Sequence, residues 1–209
     1  MRAIVLGLIG LALAAPAFAQ PAPDRLPPIV LDLRGAFGKL GKSETTAANF
    51  AVAPEELPAR GIGIVGGLHV YPIRTGRFAL GLGGELLVAR ATRQPQDIDG
   101  APIGRPIHRR FESLSGQISF NFGHRNGWSY LSGGMGPLNF DTYFEDEVPD
   151  GLRPLTLNYG GGARWFNLDH LAFSVDVRLY ATKPANPTLI VGGRTRQTVM
   201  VVSAGISIK

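Results

Sequence analysis

From residue 29 onward, apolar and polar side chains alternate with a period of two, the spacing of strands whose faces meet different environments. Eight such segments can be read, near 29–38, 61–72, 78–90, 109–122, 128–136, 154–166, 171–182 and 197–208. In the third, Phe78, Leu80, Leu82, Gly84, Leu86 and Val88 alternate with Ala79, Gly81, Gly83, Glu85 and Leu87. The seventh sets Leu171, Phe173, Val175, Val177 and Leu179 against Ala172, Ser174, Asp176, Arg178 and Tyr180. Strand 5 is predicted to end early or to carry a bulge, because Pro137 after Gly-Gly-Met-Gly removes a ladder donor.

The connections alternate as regularly as the strands. Pro72 to Arg77, Gly123 to Gly127 and Asn167 to His170 read as tight turns. Lys39 to Arg60, Ala91 to His108, Tyr143 to Arg153 and Lys183 to Arg196 are long. With eight strands, that order puts every long loop at one end and every short turn at the other, as in transmembrane barrels. None of the long loops shows helical periodicity, which argues against parallel βαβ units. The expected fold is an all-β, eight-stranded antiparallel up-and-down transmembrane β-barrel.

Alternation does not say which face points outward. A soluble barrel would turn a Lys-, Glu- and Asp-rich face to water. Here the polar face is mostly Gly, Ala, Ser, Thr and Asn, with sparse charges of both signs. Small residues suit a narrow lumen, so the bulky face is assigned to lipid. Arg110 and Glu112 fall on that lipid-facing parity and are expected above the apolar band. Tyr71, Phe78, Phe122, Trp128, Trp165 and Phe166 flank the three short turns and read as an interfacial girdle.

Residues 1–19 read as a secretory signal peptide, with Arg2, an apolar run from Ala3 to Ala15 and the small-residue site Ala17-Phe18-Ala19. The run is shorter than the roughly 20 residues a helix needs to span a bilayer. Residues 20–28 form a Pro-rich leader expected to be an extended tail, and residues 29–209 the barrel domain. The chain has 28 Gly and no Cys, which excludes disulfides, thiolate metal sites and thiol nucleophiles. Its 21 Lys and Arg against 16 Asp and Glu are scattered, and no nucleic-acid stripe emerges.

By parity, Asp32, Arg34, Glu85, Arg164, Asp176 and Arg178 point into the barrel. Three acids against three bases suggest a self-neutralising structural plug, with a polar relay or gated pore as the alternative, since eight strands leave an interior that side chains fill. His69, His108, His124 and His170 share no metal-ligand spacing, and no G-x-S-x-G elbow occurs. No catalytic residue, cofactor or metal is expected. A hydrolase built from His69, a lumen Ser and Glu85 is the enzymatic rival. The acidic loop with Glu145, Asp146, Glu147 and Asp150 reads as solvated surface, although a cation or partner could bind there.

The segments Gly66 to Pro72 and Gly160 to Tyr180, with Gly160-Gly161-Gly162-Ala163-Arg164 and Val175-Asp176-Val177-Arg178, resemble the small outer-membrane β-barrels related to the OmpA-like barrel domain, a porin-like superfamily. The resemblance implies a cell-envelope location in the bacterial outer membrane and a lumen charge cluster at Arg164, Asp176 and Arg178. It departs at Gly205-Ile206-Ser207-Ile208-Lys209, where such barrels usually end in an aromatic residue read by the assembly machinery. The expected partners are outer-membrane lipids, that machinery and a possible surface ligand of the long loops. The expected role is that of a monomeric barrel with a structural, adhesive or surface-interaction function. The rivals are an envelope lipid-modifying hydrolase and a soluble periplasmic barrel that binds a small hydrophobic ligand.

Overall fold

The computed structural model describes residues 25–147, 151–184 and 195–209. Residues 1–19, read above as a signal peptide, and most of the leader segment 20–28 lie outside the described residues. Eight strands, β1 (Ile29–Lys39), β2 (Arg60–Thr75), β3 (Phe78–Arg93), β4 (Ile107–His124), β5 (Gly127–Phe144), β6 (Leu155–Phe166), β7 (Leu171–Ala181) and β8 (Thr198–Ile208), pair in chain order. All pairs are antiparallel, and β1 closes the barrel against β8. Closure leaves no strand edge, so each backbone amide within the wall can find a partner without water.

The alternation resolves into two unlike surfaces. Ile62, Ile64, Leu82, Leu114, Ile118, Leu131, Leu157 and Phe173 all stand exposed on the outer wall. The alternate positions are buried in a lumen lined by Ser113, Ser115, Gln117, Ser119, Asn121 and their like. A soluble barrel that held a small hydrophobic ligand would need the bulky set inside, and the structure puts it outside. So broad an apolar belt around a closed barrel is a surface suited to hydrocarbon rather than water.

Several expectations are corrected. Strand β5 does not stop at Gly136 but runs to Phe144. Pro137 is tolerated because the ladder with β4 skips it, Gly116↔Met135 and Ser113↔Leu138 keeping one register on both sides, while on the other side it stays paired with Leu155 of β6. The bulge lies instead in β2, where the pairing with β3 shifts between Val70 and Ile73, next to Pro72. Of the six turn-flanking aromatics, Phe78, Phe122 and Trp165 face outward, whereas Tyr71, Trp128 and Phe166 are buried inside. Proximity to a turn does not set parity, and these three rings meet in the lumen floor with Leu26, Val30, Ala79 and Ala172.

The end of the leader is likewise not a free tail. Leu26 is buried in that floor, Arg74 donates to its carbonyl, and Tyr71 N–H donates to Pro28 O at 2.8 Å. The first long loop carries a short helix, α1 (Glu44–Asn49), where periodicity suggested none. Six residues are too few to register a hydrophobic period, but Ser43 caps the helix by accepting from Thr46 N–H. Ala47 and Leu57 of this loop pack on Ile107, and Leu40 joins the upper apolar layer of the lumen. The loop therefore folds over the long-loop mouth.

Candidate functional site in the lumen

Small residues on the inner face create the room that the polar network occupies. A Cβ on Gly162 would lie 2.6 Å from the Tyr130 hydroxyl, and one on Gly83 would lie 2.3 Å from His69 Nδ1. Both distances are shorter than real side chains tolerate, so glycine is required for Tyr130 and His69 to cross the lumen. Above and below the network lie apolar layers around Phe111 and around Trp128.

Asp32, Arg34, Glu85, Arg164, Asp176 and Arg178 are all buried, and they separate into two groups. In the lower group, Arg164 grips Asp32 with two nitrogens, its Nε at 3.1 Å from Oδ1 and its Nη2 at 2.5 Å from Oδ2. Ser207 donates to the same carboxylate, and His69 Nε2 stands 3.3 Å from Oδ2. The guanidinium also lies 4.4 Å from the centre of the Tyr130 ring, a cation–π contact.

In the upper group, two arginines and two acids form a closed square. Arg34 Nη2 reaches Glu85 Oε2 at 2.6 Å, and its Nη1 lies 3.6 Å from Asp176 Oδ2. Arg178 approaches Glu85 at 3.2 Å and Asp176 at 3.1 Å. Tyr130 accepts from Arg34 and donates to Asp176 at 2.9 Å, which ties the square to the wall of β5. Arg178 also donates to Asn158 Oδ1 and Ser132 Oγ. Buried ions are tolerated when each is paired with an opposite charge at close range.

Sequence parity missed two members of the site. Tyr130 belongs to the network but was hidden in a strand whose faces are poorly distinguished. Arg109 is buried on the inner face of β4 and anchors the first loop by donating to Gly41 O at 2.7 Å and Pro58 O at 3.0 Å. Its parity was available in the sequence, but apart from the Thr142 hydroxyl, to which its Nε donates at 3.1 Å, its partners are backbone carbonyls, which carry no sequence signal.

The hydrolase arrangement is not what the lumen holds. Glu85 is engaged by Arg34 and Arg178, and the acid beside His69 is Asp32. Ser207 bonds to that acid, whereas a nucleophile must sit against its base. Among the described residues, no three His, Asp or Glu side chains converge as metal ligands.

No family model and no curated protein matches this chain. Solved structures do. Neisserial surface protein A aligns with a TM-score of 0.51 at 10% identity, over 87% of this chain and 96% of its own. Outer membrane protein OprG from Pseudomonas aeruginosa aligns with 0.47 at 13% identity, over 87% and 95%, and outer membrane protein AlkL with 0.47 at 13%, over 91% and 93%. At this identity, the likeness to neisserial surface protein A is one of fold: the chain is a small closed antiparallel β-barrel similar to that of a bacterial surface protein.

Proposed function

We propose that this chain is a monomeric bacterial outer-membrane barrel on the OmpA-like plan. In this reading it is a plugged scaffold with a structural, adhesive or surface-interaction role carried by its four long loops. One observation carries the reading: the outer wall is apolar while the lumen is closed by paired charges. The six lumen charges act as a structural plug, because each is matched by an opposite charge a few ångströms away and the layers above and below are apolar. The fold of neisserial surface protein A adds support for a surface location. Outer-membrane lipids and the assembly machinery are the partners such a barrel needs.

Cell fractionation with a heat-modifiability gel tests the proposal. The protein is expected in the outer-membrane fraction, migrating differently before and after boiling. Recovery in the soluble periplasmic fraction would overturn it.

A further inference from the structure

The outer wall is apolar almost throughout, and its basic residues are confined to one place. Lys39, Arg60, Arg90 and Arg110 all point outward, on four consecutive strands and at the long-loop end of each. Lys39 is the cross-strand partner of Arg60, and Arg90 is the partner of Arg110. Ile62 partners Arg90, so Arg60 and Arg90 are diagonal neighbours, roughly 7–8 Å apart by sheet geometry. The outward positions of β5, β6, β7 and β8 carry no Lys or Arg.

Like charges placed directly opposite each other destabilise a sheet, so this arc calls for a counter-charge. The protein supplies only part of one. Glu112 is shared, bonding Arg110 and lying 3.7 Å from Arg90, and Asp141 is the cross-strand partner of Arg110. Nearby His108 is taken up by Thr92. Lys39 and Arg60 are exposed, and no carboxylate among the described residues pairs with them.

The height of the arc identifies what could supply the rest. Along β3, Phe78 lies beside the short turn and Val88 ends the outward apolar run. Ten residues at about 3.3 Å each, tilted by roughly 40°, rise about 25 Å, the height of the apolar band of such barrels. Arg90 comes next, at the level where lipid headgroups begin.

We infer that the Lys39–Arg60–Arg90–Arg110 arc binds the phosphate groups of a phosphorylated lipid headgroup in the leaflet at the long-loop end. This inference rests on the membrane reading above. Guanidinium forks match phosphate geometry, and the apolar wall directly below receives the acyl chains of the same molecule. Residues Phe37, Ile62 and Leu114 form that wall under β1, β2 and β4.

The test uses the full mature protein. Insertion into phosphatidylcholine vesicles, read by heat modifiability, comes first, and failure to insert overturns both readings. Retention of bisphosphorylated lipid A is then measured by native mass spectrometry in detergent, against dephosphorylated lipid A and inorganic phosphate. Wild type should retain the phosphorylated lipid selectively. Lys39→Gln/Arg60→Gln should weaken retention about fivefold per side chain removed, about 25-fold for the pair. Arg90→Gln, an independent variant, should weaken it about fivefold. Arg25→Gln/Arg77→Gln, which removes the same charge at the short-turn end, should leave retention unchanged. Wild-type retention by the Lys39→Gln/Arg60→Gln protein, equal loss in the Arg25→Gln/Arg77→Gln control, or equal binding of inorganic phosphate alone would each overturn the inference while leaving the membrane reading intact.

Discussion

Replacing Arg164 with Ala tests whether the lumen network holds the barrel together. Arg164 and Asp32 are fully buried and joined by two hydrogen bonds, one of 3.1 Å. At a separation near 3 Å and an effective dielectric of about 20, their attraction is about 5–6 kcal/mol. Desolvation of both ions offsets much of that in the intact protein, so the pair is worth little compared with an apolar substitute. Truncating one partner is different, because Asp32 would keep its desolvation cost and retain only Ser207 and His69. The expected loss is about 3–5 kcal/mol, read as a lower urea midpoint for unfolding from lipid vesicles. The double variant Asp32→Asn/Arg164→Met removes both charges and should recover at least half of the loss. An unchanged midpoint in Arg164→Ala, or a double variant as unstable as the single, would refute the reasoning.

Other substitutions probe the wall, the packing and the loop. Ile118→Arg places a charge on the exposed outer wall near mid-strand and should cost about 2–4 kcal/mol of insertion stability. Equal folding yields in vesicles would contradict a lipid-facing wall. Gly162→Val would drive a side chain into Val175 O and the Tyr130 hydroxyl, with an expected loss of about 1–3 kcal/mol, measured by the same urea titration. Glu56 is held below the ordinary carboxylate range chiefly by its hydrogen bonds with Arg93. Because the folded value is depressed, the tether is present above the unfolded carboxylate pKa, about 4.3, and is lost as pH falls through the lower folded value. Proteolysis of the first loop should therefore accelerate at acid pH in wild type. In Glu56→Gln it should be fast already at neutral pH, and a pH-independent cleavage rate in wild type would count against the tether.

The alternation of the strands and the long–short order of the loops made the barrel legible before any coordinates, because both are one-dimensional signals. A period of two assigns side chains to faces, and loop length assigns connections to ends. Face composition then indicated which side meets lipid, since a wet face poor in charge has no soluble counterpart. These readings used nothing but local order in the chain.

What the sequence could not determine depends on which strands meet and at what stagger. Arg34 takes Glu85 from 51 positions away, and Arg164 takes Asp32 from 132 away. Composition matched three acids to three bases, but closure and register alone decided the pairs. The girdle expectation failed at Tyr71, Trp128 and Phe166 for a related reason: distance from a turn fixes height, whereas parity fixes side. Parity is uncertain where a bulge intervenes, as beside Pro72, or where both faces carry small residues, as in β5. Local pattern determined the barrel and its inverted surface. Only tertiary structure decided how the lumen is sealed, because a closed sheet brings its distant partners together across an interior that no linear pattern encodes.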